Sequence, residues 1–487
     1  MLGGVSVVRG STTPQGRILI TFIVPLSSIF PFRPGYSMNE TPVFSADITK
    51  KRDRAAGIDI GASEHWVCVD PSLATSPIRR FEAFTENLIE LVAWLTSLGI
   101  KSVAMEATGV YWRELYTRLV ESGIETMLVD PRRTKNPRGR KTDMQDCRWI
   151  WQLHACGLLD GAYVPAPAVQ ELRTIMRLRS AHVERCGIAL KELQRALSLM
   201  NLKLQHVLSD FGGTTGQHII IDILNGQRDP QVLAKHRDYR CKHDEKTLAK
   251  ALTGTWRKEH LFLLKQAQSD YQHHTQVIAE CDQEIKAMLE LIPQRSDDDG
   301  NGLVHKRPTG KHDFDFDAQQ AAYRVTGVDL AAIDGIGPNT ALSFIGEIGF
   351  NLDAWPTAKA FCSWLGLCPN PKRSGGKHLG AMPTSANRAA QILKNAAMGL
   401  KGPKNNPLSK YYGRMALRHD RASATKAVAH KMARIIYALF KNRTAYDRTK
   451  LDQPKSGKAI VRFAAKLAKQ AEEIGYHLIK AEPQVVA

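Results

Sequence analysis

The sequence predicts an α/β domain near the N-terminus followed by a longer, mainly helical remainder. Three observations carry this. Between Ala55 and about Gly157, short strand-like runs alternate with amphipathic helical stretches in the order β-β-β-α-β-α-β-α, which suits a sheet with flanking helices. From about Val169 to Ile292 apolar residues recur at steps of three and four, the helical period. The chain is also strongly basic, with 67 Lys and Arg against 48 Asp and Glu and a pI near 9.6. That balance points to a polyanionic partner.

Residues 1–54 read as a leader, either disordered or preceding a true start at Met38. Its uncharged run from Ile18 to Phe32 contains Pro25 and Pro31, is short for a membrane span, and lacks an A-x-A cleavage signature. Residues 55–168 form the α/β domain. Ala55–Ile60 and His65–Asp70 read as a hairpin, with Ile78–Phe84 as a third strand. Glu86–Leu98 reads as a helix stopped by Gly99, and Ile100–Glu106 as a strand. Tyr111–Ser122 is a helix stopped by Gly123, Ile124–Asp130 a strand, and Met144–Cys156 a helix ended by Gly157.

Residues 169–293 are expected to be helical. Leu190, Leu193, Leu197, Met200, Leu204 and Val207 form one apolar seam, and Ile278, Cys281, Ile285, Met288 and Ile292 another. Such seams fit a coiled coil, within the chain or between protomers, and equally a plain helical core. Between them Gly212–Gly216 reads as a flexible break. Residues 294–325, with acidic runs at Asp297–Asp299 and His312–Asp317, look like a linker or insertion. Residues 326–447 form a mainly α C-terminal domain, and 448–487 a basic helical tail. The eight cysteines show no C-x-x-C pair and read as thiols of a reducing cytoplasm.

Four acids stand out against the basic background. Asp59 lies in G-I-D-I-G, Glu106 ends an apolar run in M-E-A-T-G, and Asp143 and Asp146 form a D-x-x-D pair at a helix start. Alone, each has a structural reading: a turn residue beside glycine, or charge complementing a helix dipole. Together in one α/β unit they suit Mg²⁺ or Mn²⁺, because crowded carboxylates repel unless a cation offsets the repulsion. The basic segment before the pair, with Arg132, Arg133, Lys135, Arg138, Arg140 and Lys141, suits nucleic-acid contact.

The C-terminal part carries three more signals. Ile333–Ala341 resembles the turn of a helix-hairpin-helix motif, in which Gly335 and Gly337 would let backbone N–H groups approach a phosphate. The run Cys368–Lys377 places Ser374 among Lys372, Arg373 and Lys377, where a serine hydroxyl can serve as nucleophile and where a basic loop is the plainer alternative. Between Lys410 and Lys450, basic residues interleave with Tyr411, Tyr412, Tyr437, Phe440 and Tyr446, as on nucleic-acid surfaces or a solvated helix face.

Taken in order, these motifs make the chain similar to transposases of the IS110/IS1111 family from about Ala55 to about Asp447. The marks are G-I-D-I-G, M-E-A-T-G, V-D-P-R-R-T-K from Val129, K-T-D-M-Q-D from Lys141, I-D-G-I-G-P from Ile333, L-G-L-C-P from Leu365 and S-G-G-K from Ser374. The resemblance implies a RuvC-like domain of RNase H type whose DEDD tetrad is Asp59, Glu106, Asp143 and Asp146. It further implies a C-terminal domain with a nucleophilic serine at Ser374. It also implies a structured guide RNA, double-stranded donor and target DNA, dimeric or tetrameric assembly, and a cytoplasmic, nucleoid-associated protein with no membrane partner. The family often carries paired serines before Gly-Gly, whereas Arg373 precedes a single Ser374 here, and Ser385 lies eleven residues on. The alternatives are a site-specific DNA invertase, a junction resolvase using water, and an inactive nucleic-acid-binding relic.

Overall fold

Every residue of Ala55–Ile60 except Asp59 is buried, and this strand lies at the centre of a five-stranded sheet. The computed structural model describes residues 6–12, 17–23, 43–49, 51–134, 142–295, 303–304, 310–369, 371–375, 377–381, 387–402 and 405–451, and 465, 467–468, 471–473 and 475–477. The chain divides into two units, Met1–Val164 and Pro165–Ala487.

In the first unit, β1 (Ser6–Thr12), β2 (Arg17–Ile23) and β3 (Val43–Thr49) pair antiparallel, within the segment expected to be a structureless leader. The β-branched run Ile18–Ile23 supplies ready strand formers. The central sheet contains β4 (Ala55–Ile60), β5 (Glu64–Val69), β6 (Ile78–Glu82), β7 (Ser102–Glu106) and β8 (Glu125–Val129) in the order β6-β5-β4-β7-β8. Strands β4, β5 and β6 pair antiparallel, and β4, β7 and β8 run parallel.

Helices α1 (Thr85–Ser97) and α2 (Trp112–Glu121) cover one face, burying Leu91, Leu95, Leu115 and Leu119 with Ile58, Val67, Val103 and Met105. Burial of each such side chain contributes about 1.5–3 kcal/mol. After the short helix α3 (Pro131–Thr134), α4 (Asp143–Ala155) covers the other face. There Cys147 and Trp151 meet Ala55 and Cys68, and Ile150 meets Ala104. Gly99, Gly123 and Gly157, the expected helix stops, all have positive φ. Predicted and observed elements of this domain agree to within one or two residues at nearly every boundary.

His154 of α4 is fully buried, its Nε2 3.1 Å from Ser102 Oγ and its Nδ1 without a partner. Burial and the nearby Arg52 charge lower its pKa to about 4. A histidine depressed in the folded state stabilises the fold fully above the ordinary value of 6.5, and that contribution is lost as pH falls from there toward 4. We expect urea midpoints of the wild type to fall over this window more steeply than those of His154→Gln, by up to about 3 kcal/mol.

The second unit is built on two long helices, α5 (Pro167–Leu199) and α10 (Lys258–Leu291). Between them lie α6 (Leu204–Val207), α7 (Thr214–Leu224), α8 (Pro230–Ala234) and α9 (Glu245–Ala251). The apolar seams pack within the chain: Leu193, Leu197 and Met200 share one core with Leu264, Tyr271 and Ile278. The first seam does not run along one helix, because α5 stops at Leu199 and Asn201 turns left-handed before Leu204 opens α6. The expected flexible break at Gly212–Gly216 is a packed turn. Tyr271 donates to the Gly212 carbonyl at 3.3 Å, and a Cβ on Gly216 would collide with the Phe211 backbone.

Part of the expected acidic linker is also packed. Phe314 is buried, and the buried Arg179–Asp282 ion pair lies against it, with the guanidinium 4.0 Å from the Phe314 ring. Helices α11 (Ala318–Thr326), α12 (Pro338–Ile348), α13 (Ala358–Trp364), α14 (Arg388–Met398), α15 (Pro407–Arg418) and α16 (Arg421–Asn442) follow, with one β-hairpin, β9 (Pro371–Ser374) and β10 (Lys377–Ala381). Among the described residues, no helix is long and apolar enough to cross a membrane.

Candidate active site

The sheet's period-two alternation decides where the first two acids point. Along β4, Ala56, Ile58 and Ile60 belong to the core under α1 and α2, whereas Ala55 and Gly57 face α4. Asp59 therefore falls on the α4 side. On β7, Val103 and Met105 share the α1–α2 core while Ala104 meets α4, which puts Glu106 on the same side as Asp59. Ile58 pairs in parallel register with Met105, so the acids that follow them occupy neighbouring positions where both strands end.

Helix α4 brings the other two. Thr142 caps it, accepting from Gln145 N at 3.4 Å, and Asp143 and Asp146 occupy its first turn. Their spacing of three places them on one helix face, while Cys147, Ile150 and Trp151 anchor the helix on the sheet. All four acids line a single cleft of about 540 Å³, with Ser63, Glu64, Trp66, Thr108, Pro131 and Thr134. The sheet and α4 bring Asp59, Glu106, Asp143 and Asp146 together as the sequence predicted.

Gly57 makes this approach possible. A Cβ there would sit 2.6 Å from Trp151 Cα and 2.7 Å from the Cys147 carbonyl oxygen, so only glycine lets α4 lie this close to β4. Behind the cleft the Cys147 thiol is pushed well above its ordinary value, first by its hydrogen bond with Cys68, then by burial and by the charges of Cys68 and Asp59. It stays protonated and unreactive.

Sequence reasoning missed two groups. Buried Thr134 donates its hydroxyl proton to Glu106 Oε1 and orients that carboxylate. It stands inside V-D-P-R-R-T-K, but its apolar burial and its partner 28 residues away leave no local signal. Trp66 Nε1 donates to Glu64 Oε1 at 3.0 Å, and both line the cleft.

The basic residues are placed only in part. Arg132 and Arg133 lie on α3 directly beyond β8, whereas Lys135, Arg138, Arg140 and Lys141 lie outside the described residues. In the second unit, Ser374 ends β9 and pairs in register with Lys377, which opens β10. The intervening Gly375 has φ +54°, the left-handed conformation that a two-residue hairpin turn requires. The expected basic loop is therefore a hairpin, with Lys372 and Arg373 on one strand and Ser374 at its tip. Upstream, Gly335 (φ +86°) packs against Leu400 and Ala396, where a Cβ would meet Leu400 at 3.0 Å. Gly337 precedes Pro338 as the N-cap of α12, with open space around it. With α11 before and α12 after, this is a helix-hairpin-helix-like arrangement.

Comparison with known proteins assigns both units. A family model for DEDD transposases of the IS110 type, described as "Transposase", matches residues 56–201. A second, described as "Transposase IS116/IS110/IS902 family", matches residues 329–413. The chain belongs to the IS110 family of transposases. No curated protein matches it. The first match spans the whole carboxylate cleft of this IS110 transposase and continues through α5; the second spans the hairpin with Ser374. The five-stranded sheet with its flanking helices is an RNase H-like DEDD fold, and such a domain indicates dependence on a divalent metal.

Proposed function

We propose that this transposase exchanges DNA strands through a covalent bond between Ser374 and DNA, with Mg²⁺ or Mn²⁺ held by Asp59, Glu106, Asp143 and Asp146. The observation that carries the reading is the convergence of four carboxylates on one cleft. This donor set is entirely hard oxygen, which fits these ions. When bound, the ion neutralises charge at the scissile phosphate and helps fix the geometry of attack. Two of its ligands sit on strands and two on a capped helix start, so the site is held rigid before DNA arrives. Thr134 keeps Glu106 oriented within it.

In the proposed step Ser374 Oγ forms a bond to phosphorus as the P–O3′ bond breaks. The serine proton is lost, and the departing 3′ oxygen takes up a proton. The phosphoserine link conserves the phosphodiester, so a 3′ hydroxyl can attack it and rejoin DNA without ATP. Lys372, Arg373 and Lys377 would offset the charge developing at phosphorus. Arg132, Arg133, Lys135, Arg138, Arg140 and Lys141, and the backbone around Gly335 and Gly337, would hold nucleic-acid phosphates. A structured guide RNA and a homo-oligomer of two or four chains complete the reading.

A hydrolytic nuclease is the second reading, favoured by the placement of all four acids in one unit. Purified protein, Mg²⁺, labelled donor and target DNA, and RNA transcribed from the flanking non-coding sequence distinguish the two on a denaturing gel. We expect a protease-sensitive protein–DNA adduct that Ser374→Ala abolishes while DNA binding persists. Cleaved ends without an adduct, unchanged in Ser374→Ala, would establish hydrolysis instead.

A further inference from the structure

Away from the carboxylate cleft, the two long helices of the second unit bring three histidines together. His182 comes from α5, and His273 and His274 from α10. One ring nitrogen from each lies within 4.8 Å of the other two. Nδ1 of His182 and Nδ1 of His274 are 3.2 Å apart. That is close to the roughly 3.3 Å between two ligands of a tetrahedral zinc ion bound at about 2.05 Å. His182 is buried, His274 partly buried and His273 exposed, so the cluster is anchored in the helix interface and open on one side.

The metal-free hydrogen bonds are consistent with neutral rings. Arg185 Nη1 lies 3.0 Å from His182 Nε2, and a guanidinium only donates. The proton of neutral His182 therefore sits on Nδ1 and is donated to His274 Nδ1. Burial, first, and then Arg185 and the neighbouring imidazoles lower the pKa of both His182 and His274, with Asp270 opposing at His274. Neutral imidazoles are what a borderline-soft metal ion requires.

We propose that His182, His273 and His274 form a binding site for zinc that clasps α5 to α10 and leaves a fourth position for water or an exchangeable ligand. Binding moves the His182 proton from Nδ1 to Nε2, so that Nδ1 can coordinate and no net proton is released from this residue. Nε2 then ceases to accept, and Arg185 loses its partner. Arg185 thus opposes the metal twice, through that hydrogen bond and through its charge.

The test uses the full chain carrying Asp59→Asn and Glu106→Gln, which weaken zinc binding in the carboxylate cleft. Equilibrium dialysis against zinc chloride, followed by metal quantification and thermal melts, reads the site. We expect one zinc per chain and a melting temperature that rises with zinc. His273→Ala alters an exposed side chain and leaves the helix interface intact. It should weaken uptake at least tenfold, as should His274→Ala, and Arg185→Gln should tighten it. Absence of zinc uptake at micromolar concentration would overturn the proposal. So would uptake unchanged in His273→Ala and His274→Ala, which would leave the three histidines a hydrogen-bonded cluster.

Discussion

Asp59→Asn should abolish strand exchange while leaving the metal-free protein folded and no less stable than the wild type. Asp59 shares its cleft with three other carboxylates, so removing one charge relieves mutual repulsion when no cation is bound. Asparagine keeps the size of the side chain and an oxygen acceptor, and it can occupy the same place between Ile58 and Ile60. The lost charge acts where the reaction needs it. Metal-borne charge stabilisation is worth several kcal/mol in the transition state, roughly a thousandfold in rate or more. Thermal melts with and without Mg²⁺ separate these effects. The wild type should melt higher as Mg²⁺ is added, because the ion binds only the folded chain, and Asp59→Asn should lose most of that rise. Normal strand exchange by this variant would remove Asp59 from the site.

Gly57→Ala is expected to damage both fold and activity, although it adds one methyl group and touches no acid. The new Cβ would meet backbone atoms of Trp151 and Cys147, which cannot rotate away as a side chain could. Helix α4 must lift from the sheet. Overpacking of this kind costs about 1–3 kcal/mol, and more where the neighbours are rigid. The same movement carries Asp143 and Asp146 away from Asp59 and Glu106, so metal-dependent stabilisation should fall with overall stability. Gly187→Ala in α5 is the control, since nothing lies within 4 Å of a Cβ there. In a helix interior that exchange should stabilise, by up to about 1 kcal/mol. Chemical denaturation of both variants checks the pair, and equal stabilities would show that the close α4–β4 approach is unimportant.

Much of the candidate site was legible because its signals are local. G-I-D-I-G, M-E-A-T-G and K-T-D-M-Q-D each mark a strand end or a helix start within a few residues, and a glycine just past the last apolar turn announces each helix stop. Thr134 could not be found that way, since its significance rests on a hydrogen bond to Glu106 across 28 residues. The cluster of His182 with His273 and His274 was hidden for the same reason. Its members are about ninety residues apart and meet only because α5 and α10 pack side by side. Gly212–Gly216 misled in the opposite direction, as its composition is that of a flexible loop while its small residues serve close backbone packing.

The sequence by itself determined the order of strands and helices, the identity of the four acids, the serine and its basic neighbours, and the IS110 transposase family. Those properties reside in residue type and short spacing. Only the tertiary structure decided that Asp59 and Glu106 face α4, that Gly57 admits that helix, that the helical seams close within one chain, and that Ser374 ends a strand at a hairpin turn. These depend on which faces are buried against which, and burial is a property of the packed chain that short-range patterns constrain without specifying.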